Sequence, residues 1–210
     1  MTGFPISENN PIEHAGPMPD TADVVIIGGG IIGVTTALFL ARKGVKAVLL
    51  EKGRIAGEQS SRNWGWIRQQ GRDLAELPIT LEANQHWLAL QQQTDCDIGL
   101  KRCGLTYLAK DEAQLAVYQD WLSQARDTGV DSRILSAGET AAHVQGMAQP
   151  FVGALHTPSD MVAEPFVATP ALAHRLSRDM RAIVENCAVR VLDIEAGRVA
   201  GVITEQGRIK

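Results

Sequence analysis

The sequence predicts an α/β fold that begins with a βαβ unit. Three observations predict it. A β-branched run leads into a glycine cluster and a helix, a second apolar run ends in an acidic residue, and residues 188–209 alternate short β-type runs with turns. The chain has 210 residues, 45% hydrophobic and 21% charged. That balance is ordinary for a globular protein and excludes a disordered one.

The βαβ unit comes first along the chain. Residues 22–27 (ADVVII) are typical of a strand buried on both faces of a parallel sheet. A helix is predicted over 31–43, and Gly44 ends it. Residues 45–50 (VKAVLL) form the second strand. A strand, a helix and a strand in this order form a right-handed parallel unit, which is the start of a Rossmann-like domain.

The middle of the chain alternates between helical and β patterns. The spacing of apolar residues and the capping residues predict helices that begin at Pro78, Asp111 and Ser136. Strands are predicted over 100–109 and 151–156.

A further helix is predicted near residue 170. Thr169 is its expected N-cap and Pro170 its first residue. Four residues form its apolar stripe: Leu172, Leu176, Met180 and Ile183. Residues 188–209 then form a β-meander with hairpin turns.

Several classes of protein are excluded by composition. The net charge is −4 and there is no Lys/Arg stripe, so we expect no nucleic-acid partner. No apolar run is long enough for a transmembrane segment. Residues 1–21 lack the pattern of a signal peptide and are expected to form a flexible tail.

The cysteines and histidines do not indicate a metal site. Cys96, Cys103 and Cys187 form neither a CxxC pair nor a disulfide framework. Three free thiols suit a reducing compartment, and the predicted location is cytoplasmic.

The strongest motif is Gly28-Gly29-Gly30-Ile31-Ile32-Gly33 between the first strand and the helix. Gly28 permits the tight turn, Gly30 lets the backbone approach a pyrophosphate, and Gly33 allows close packing of the helix on the sheet. The free N–H groups of the helix N-terminus, at Ile31 and Ile32, attract phosphate. Glu51 ends the second strand, where a carboxylate can accept hydrogen bonds from ribose hydroxyls. The motif predicts a dinucleotide site and leaves FAD and NAD both open.

The loop after Glu51 carries a resemblance to a known family. The string GEQSSRNWGWIRQ resembles the FAD-dependent amino-acid oxidase and dehydrogenase family, which includes D-amino-acid dehydrogenase, glycine oxidase and sarcosine oxidase. Members carry a loop of the type S-x-x-N-x-G, matched here by Ser60, Asn63 and Gly65. The resemblance implies FAD as cofactor. It implies oxidation of the C–N bond of an amino acid or secondary amine by hydride transfer to flavin.

The resemblance also implies a set of site residues. The expected cofactor-binding residues are Gly28, Gly30, Ile31, Ile32, Gly33, Glu51, Lys52, Ser60, Ser61, Arg62, Asn63, Gly65 and Val189. Trp66 and Arg68 are the expected substrate-binding residues, because a guanidinium can hold a carboxylate and an indole can form a pocket wall. An ion pair for the arginine and core packing for the tryptophan are the alternatives. We expect no protein base, and the catalytic residues stay unassigned.

The resemblance implies that an FAD-binding domain is interrupted by part of an α+β substrate domain. The expected division is a tail over 1–21, a first FAD-binding segment over 22–95, a substrate-domain portion over 96–166 and a return segment over 167–210. Family members continue beyond the point that matches Lys210, so the chain is expected to be an N-terminal half, completed by further sequence or by a partner chain.

Three other functions stay open at this point. Related flavoproteins that oxidise a 2-hydroxy acid or glycerol phosphate share the front half. The chain also fits a non-catalytic dinucleotide-binding subunit that needs a partner. An NAD-dependent dehydrogenase is the third alternative.

Overall fold

The computed structural model describes residues 5–94, 97–178 and 182–210. In chain order the strands are β1 (Val24–Ile27), β2 (Ala47–Leu50), β3 (Trp66–Ile67), β4 (Lys101–Arg102), β5 (Leu105–Ala109), β6 (Arg133–Ser136), β7 (Gly153–Thr157), β8 (Met161–Val162), β9 (Ile183–Val184), β10 (Val189–Glu195), β11 (Arg198–Thr204) and β12 (Gly207–Ile209). The helices are α1 (Ile31–Arg42), α2 (Leu77–Gln91), α3 (Glu112–Ala125), α4 (Ala137–His143) and α5 (Pro165–Ser177).

The chain forms two compact units. The first unit contains the chain up to Trp64, Gln93–Ile98 and Glu164–Lys210, and the second unit contains Gly65–Gln92 and Gly99–Ala163. The sequence-based division differs from this one. It assigns residues 65–92 to the first domain, whereas the structure assigns them to the second unit, because β3 pairs with β8 there. The expected boundary at 95–96 falls outside the described residues.

The first unit is built on the predicted βαβ motif. β1 and β2 run parallel, and β9 adds a parallel strand on the other side of β2. β2 is buried at all four positions because it lies between two neighbours. α1 buries Val34, Ala37 and Leu38, and Gly44 follows it with a φ of +74°. Left-handed backbone of this kind favours glycine and ends the helix.

The predicted β-meander is also present in the first unit. β10, β11 and β12 form an antiparallel sheet. Val202 and Ile209 pack with Val48, Leu50 and Cys187 in one apolar core. The meander thus shares its buried side chains with the parallel sheet.

The expected start of the return helix is wrong. α5 begins at Pro165 with Glu164 as N-cap, so Thr169 and Pro170 lie inside it. A proline at the first helical position lacks an N–H that would be unpaired anyway, and Pro165 meets that condition better than Pro170. Ile183 belongs to β9 and not to the helix, and Met180 lies outside the described residues.

Residues 5–21, here called the N-terminal segment, differ from the flexible tail expected from the sequence. Ala15 forms a bridge with Val184 of β9. The Glu185 N–H donates to the His14 carbonyl at 2.9 Å, and the Lys210 N–H donates to the Asp20 carbonyl at 2.9 Å. Backbone hydrogen bonds therefore attach the described part of the segment to the first unit.

The second unit contains two three-stranded antiparallel sheets, ordered β3-β8-β4 and β5-β7-β6. The strand predicted over 100–109 is divided into β4 and β5, because Gly104 between them has a φ of +69°. The predicted capping box at Ser136 and Glu139 is confirmed at the start of α4. None of the helices in the described ranges is long and apolar enough to cross a membrane.

Candidate functional site

A cavity of about 510 Å³ lies in the first unit at the carboxyl ends of β1 and β2. Its walls come from the glycine turn, the end of β2, the loop after it and the start of β10. The lining residues are Ile27, Gly28, Gly30, Leu50, Glu51, Lys52, Ala56, Gly57, Glu58, Gln59, Ser60, Cys187, Ala188, Val189 and Arg190. Ligands bind at this edge of open α/β sheets.

The glycine turn has the conformation that the motif predicts. Gly28 has a φ of +108°, and its N–H donates to the Leu50 carbonyl at 2.8 Å. A Cβ on Gly33 would overlap the Gly28 carbonyl oxygen and lie 3.4 Å from Ile26 Cγ2. Gly33 is therefore required where α1 approaches the turn and β1.

Ser60 contacts the start of α1. Gly30 is the N-cap and supplies no side-chain acceptor. The Ile31 N–H instead donates to Ser60 Oγ at 2.9 Å, and a Cβ on Gly30 would lie 2.9 Å from the same oxygen. The side chain of Ile32 is 77% exposed. The first turn of the helix is thus capped by a residue 29 positions away.

Glu51 is only 7% exposed and both its oxygens are hydrogen-bonded to backbone. Oε2 accepts the Gly29 N–H at 2.6 Å, and Oε1 accepts the Gly53 N–H at 2.7 Å. These two bonds fix the carboxylate at the wall of the cavity. A carboxylate has about four acceptor positions, so it can still accept from a ligand hydroxyl.

The rest of the loop is held largely by its own polar groups. Lys52 pairs with Glu58 at 3.4 Å, and Arg62 pairs with Glu58 at 3.3 Å. Asn63 Nδ2 donates to the Gln59 and Ser60 carbonyls at 3.1 Å each. Within the described residues, the cavity walls include Lys52 and Ser60, and do not include Ser61, Arg62 or Asn63.

Ser61 and Trp64 have opposite exposures. The Ser61 side chain is buried, and its hydroxyl donates to the Glu58 carbonyl at 3.4 Å. Trp64, at the end of this stretch of the first unit, is 80% exposed.

The expected substrate residues belong to the second unit. Gly65 begins it with a φ of +71°, and Trp66 in β3 pairs with Val162. Arg68 Nη1 donates to the Gln70 carbonyl at 2.5 Å. Arg68 therefore has a hydrogen-bond partner in its own segment. This contact is a structural role for Arg68, beside the expected contact with substrate.

The sequence did not reveal how Asp160 holds this segment. Its buried carboxylate accepts the Gln69 N–H at 2.7 Å and the Gln70 N–H at 3.2 Å. Burial raises the pKa of Asp160, and the two backbone hydrogen bonds partly oppose that rise. The only sequence signal was an acidic residue in the 153–165 string.

Comparison with known proteins decides the family. Residues 23–210 match the family described as "DAO: FAD dependent oxidoreductase". The chain belongs to this FAD-dependent oxidoreductase family. The predicted cofactor, FAD, is thereby confirmed, and the alternative of an NAD-dependent dehydrogenase is wrong.

Relatives within the FAD-dependent oxidoreductase family include amine-oxidising enzymes. The chain is 31% identical to the mitochondrial sarcosine dehydrogenase of Mus musculus, over 92% of this chain and 22% of that protein. It is 29% identical to the glycine oxidase of Geobacillus kaustophilus, over 72% of this chain and 42% of that protein. The chain spans a fifth to a half of the curated relatives that it matches.

Solved structures of the family have the same fold. The L-amino acid deaminase of Proteus myxofaciens, in complex with anthranilate, superposes with a TM-score of 0.90 at 28% identity. That match covers 97% of this chain and 47% of the deaminase chain. The predicted α/β fold class is confirmed.

The residues of the cavity fit the cofactor of the family. Its volume is in the range of small-molecule sites. The polar groups that suit it are the N–H groups in the first turn of α1 for phosphate oxygens, of which the Ile31 N–H here donates to Ser60 Oγ, and Glu51 as the acceptor for hydroxyls. Cys187, Ala188, Val189 and Arg190 also line the cavity, and the Cys187 N–H donates to the Glu51 carbonyl at 2.9 Å. Sequence patterns alone do not reveal this part of the cavity, because it depends on pairing between distant strands.

Proposed function

We propose that the protein takes part in the FAD-dependent oxidation of the C–N bond of an amino acid or secondary amine. The observation that carries the proposal is the fit of the first-unit cavity to a dinucleotide, in a chain with amine-oxidising relatives. The sarcosine dehydrogenase, glycine oxidase and L-amino acid deaminase relatives share a nitrogen bound to the carbon that is oxidised. That shared chemistry supports an amine substrate.

Each cofactor-binding residue has a proposed role. Gly28, Gly30 and Gly33 keep side chains away from the pyrophosphate and the turn. The Ile32 N–H donates to a phosphate, and the Ile31 N–H does so only if it gives up its hydrogen bond to Ser60 Oγ. Glu51 accepts the ribose hydroxyls, and the backbone at Val189 contacts adenine. Lys52, Ser60, Ser61, Arg62, Asn63 and Gly65 form the loop beside the cofactor, with Ser60 nearest to it. When bound, FAD supplies the hydride acceptor, and this chain binds and orients it.

Trp66 and Arg68 are the proposed substrate contacts. Arg68 retains unused guanidinium donors beside its bond to Gln70, because guanidinium has five N–H groups. A bidentate pair with a carboxylate would orient an amino acid by its carboxyl end. In this proposal the neutral amine loses a hydride and becomes an iminium ion, which water hydrolyses to a carbonyl and an ammonium ion, and no protein base is assigned.

An anaerobic reduction assay tests this function. The purified protein, loaded with FAD, is mixed with sarcosine, glycine, L-proline or an aromatic L-amino acid, and flavin absorbance is followed. Bleaching by an amine is the expected result. Bleaching by lactate or glycerol 3-phosphate but by no amine would overturn the choice of substrate class.

One relative favours a second candidate. The chain is 25% identical, over 90% of its length, to the anaerobic glycerol-3-phosphate dehydrogenase subunit A1 of Haloferax volcanii. An alcohol carbon in place of an amine carbon is the difference between the two proposals. The same assay distinguishes them, because glycerol 3-phosphate is one of its substrates.

Another relative favours a non-catalytic role. The chain is 30% identical, over 94% of its length, to the mitochondrial pyruvate dehydrogenase phosphatase regulatory subunit of Mus musculus. This candidate predicts FAD binding without bleaching by any donor. Recovery of turnover on adding a second polypeptide would support the need for a partner chain.

The location stays a prediction. Cys103 and Cys187 are free thiols, which supports a reducing, cytoplasmic compartment. The sarcosine dehydrogenase relative is mitochondrial, so cell fractionation with a tagged chain is the test.

A further inference from the structure

Glu185 is a buried carboxylate that none of the proposed cofactor contacts uses. It follows β9 directly and is 4% exposed. Its Oε2 accepts the Glu13 N–H at 2.7 Å and the His14 N–H at 3.1 Å. Its Oε1 accepts the Ile55 N–H at 2.7 Å. One side chain therefore joins the N-terminal segment to the loop that follows Glu51.

The loop at residues 53–56 is in direct contact with the glycine turn. The Ala56 N–H donates to the Gly29 carbonyl at 2.9 Å, and a Cβ on Gly29 would lie 2.5 Å from Ile55 Cδ1. Gly53 donates its N–H to Glu51. Ala56, at a φ of +60°, forms part of the cavity wall. Any displacement of this loop therefore moves both the glycine turn and the carboxylate of Glu51.

The N-terminal segment holds the same loop from the other side. Arg54 Nε donates to the Asn10 carbonyl at 2.8 Å, and Arg54 Nη2 donates to the Glu8 carbonyl at 3.1 Å. With Glu185, this gives the segment two separate connections to residues 54 and 55. Both connections depend on a charged group, which makes their hydrogen bonds stronger than neutral ones.

We propose that Glu185 and the N-terminal segment are part of the cofactor-binding apparatus, and that they set FAD affinity by holding residues 53–56 in place. Glu185 acts here as a positioning residue, because its oxygens contact backbone and not the cofactor. The inference rests on FAD as the ligand of the first-unit cavity. It extends the site to a segment that lies before the glycine motif.

The test is FAD binding by full-length variants, followed by quenching of flavin fluorescence. In E185Q one oxygen becomes an amide N–H₂ that faces backbone donors, so the loop loses an acceptor. The expected result is an increase in the Kd for FAD of about tenfold, the equivalent of about 1.4 kcal/mol. R54M cuts the second connection, retains an apolar stem and is expected to raise Kd by about threefold. It also covers the case in which E185Q does not fold.

The matched control is E139Q in the second unit, where Glu139 accepts the Ser136 N–H in the capping box. It makes the same Glu-to-Gln change far from the loop in sequence, and its Kd for FAD should equal that of the unmodified chain. A second readout is amide hydrogen exchange at Glu13, His14 and Ile55. FAD should slow exchange at these three amides in the unmodified chain and less in R54M.

The outcomes separate two failures. If the unmodified chain does not bind FAD, the proposed function itself is contradicted. If it binds FAD, and both folded variants bind FAD within twofold of it with no change in exchange at the three amides, the role of Glu185 and the segment is overturned. A lower melting temperature of the apoprotein with unchanged Kd would likewise assign them a structural role only.

Discussion

The glycine motif of the first unit and the Asp160 network of the second unit place their polar groups in different ways. In the first unit, Gly28, Gly30, Gly33 and Glu51 follow one another within a short stretch of chain, and their partners are mostly backbone groups. In the second unit, Gln69 and Gln70 contact Asp160 from 91 and 90 positions away. A site whose residues form a contiguous motif can be recognised in the sequence. A site whose residues come from distant segments can be recognised only in the folded structure.

The largest expected effect breaks the local motif. G33A places a methyl group on the Gly28 carbonyl, a backbone atom that cannot rotate away. The expected cost is about 3 kcal/mol of unfolding free energy for the first unit, together with loss of FAD binding. Urea denaturation and flavin absorbance measure the two effects.

G138A is the matched control for that substitution. Gly138 is helical, in α4 of the second unit, and a Cβ there meets nothing within 4 Å. The expected result is a gain of up to about 1 kcal/mol, because alanine favours the helix. Equal destabilisation by both substitutions would contradict the assignment of Gly33 to a close contact.

A smaller loss of stability is expected when the hydrogen bonds between Asp160 and residues 69 and 70 are broken. D160N replaces a carboxylate that accepts two backbone N–H groups, and one of them then faces an amide donor. Stability of the second unit should fall by about 2 kcal/mol. Amide hydrogen exchange at Gln69 and Gln70 should be faster in D160N than in the unmodified chain, and exchange in the first unit should change less.

D131N provides the comparison for that measurement. Asp131 is exposed and its Oδ1 accepts the Ser159 hydroxyl at 2.7 Å. An asparagine Oδ1 can keep that hydrogen bond, so D131N should cost well under about 1 kcal/mol. If D131N destabilises the second unit as much as D160N, then burial of Asp160 is not what makes its hydrogen bonds matter.

Acid pH should destabilise both units. Burial lowers the pKa of His14 in the first unit, and the nearby Glu185 and Glu13 partly oppose it. Burial, followed by the neighbouring His143, lowers the pKa of His156 in the second unit. A histidine with a lowered pKa in the folded state binds fewer protons than the unfolded chain does. Stability is therefore present above pH 6.5 and is lost as the pH falls below that value.

Two substitutions assign this pH dependence to its units. H14Q should flatten the decrease measured by exchange in the first unit, and H156Q should flatten it in the second. The measurement is the free energy of unfolding between pH 7.5 and pH 5.5. An unchanged slope in both variants would show that other groups bind the protons.

The same contrast explains what the sequence could predict. The β1-α1-β2 unit and the meander depend on neighbouring residues, so their patterns predicted them, and the glycine turn has its predicted conformation. The start of α5 was missed because two prolines, Pro165 and Pro170, both resemble a first helical residue. The division between units was missed because β3, β4 and β8 contain only two residues each, which is too short for a period to be visible.

The site residues also differ in whether neighbouring or distant residues determine their contacts. Glu51 and the glycines could be read from spacing, while Ser60 came from the loop resemblance and its bond to Ile31 only from the structure. Glu185 has no local signal, because its three backbone partners come from two distant parts of the chain. Hydrogen bonds between residues so far apart produce no periodic pattern in the sequence.

The position of β9 has a consequence for how the protein is made. Ile55 and Glu185 are 130 positions apart, and β2 has no neighbour on one side until β9 is synthesised. At about 5–20 residues per second, a ribosome needs roughly 7–26 seconds to cover that distance. During this time almost all of the second unit emerges and can fold, while the buried strand of the first unit stays open on one side. The nascent chain therefore exposes an unpaired apolar strand edge for seconds, and that is the interval in which a chaperone would protect it.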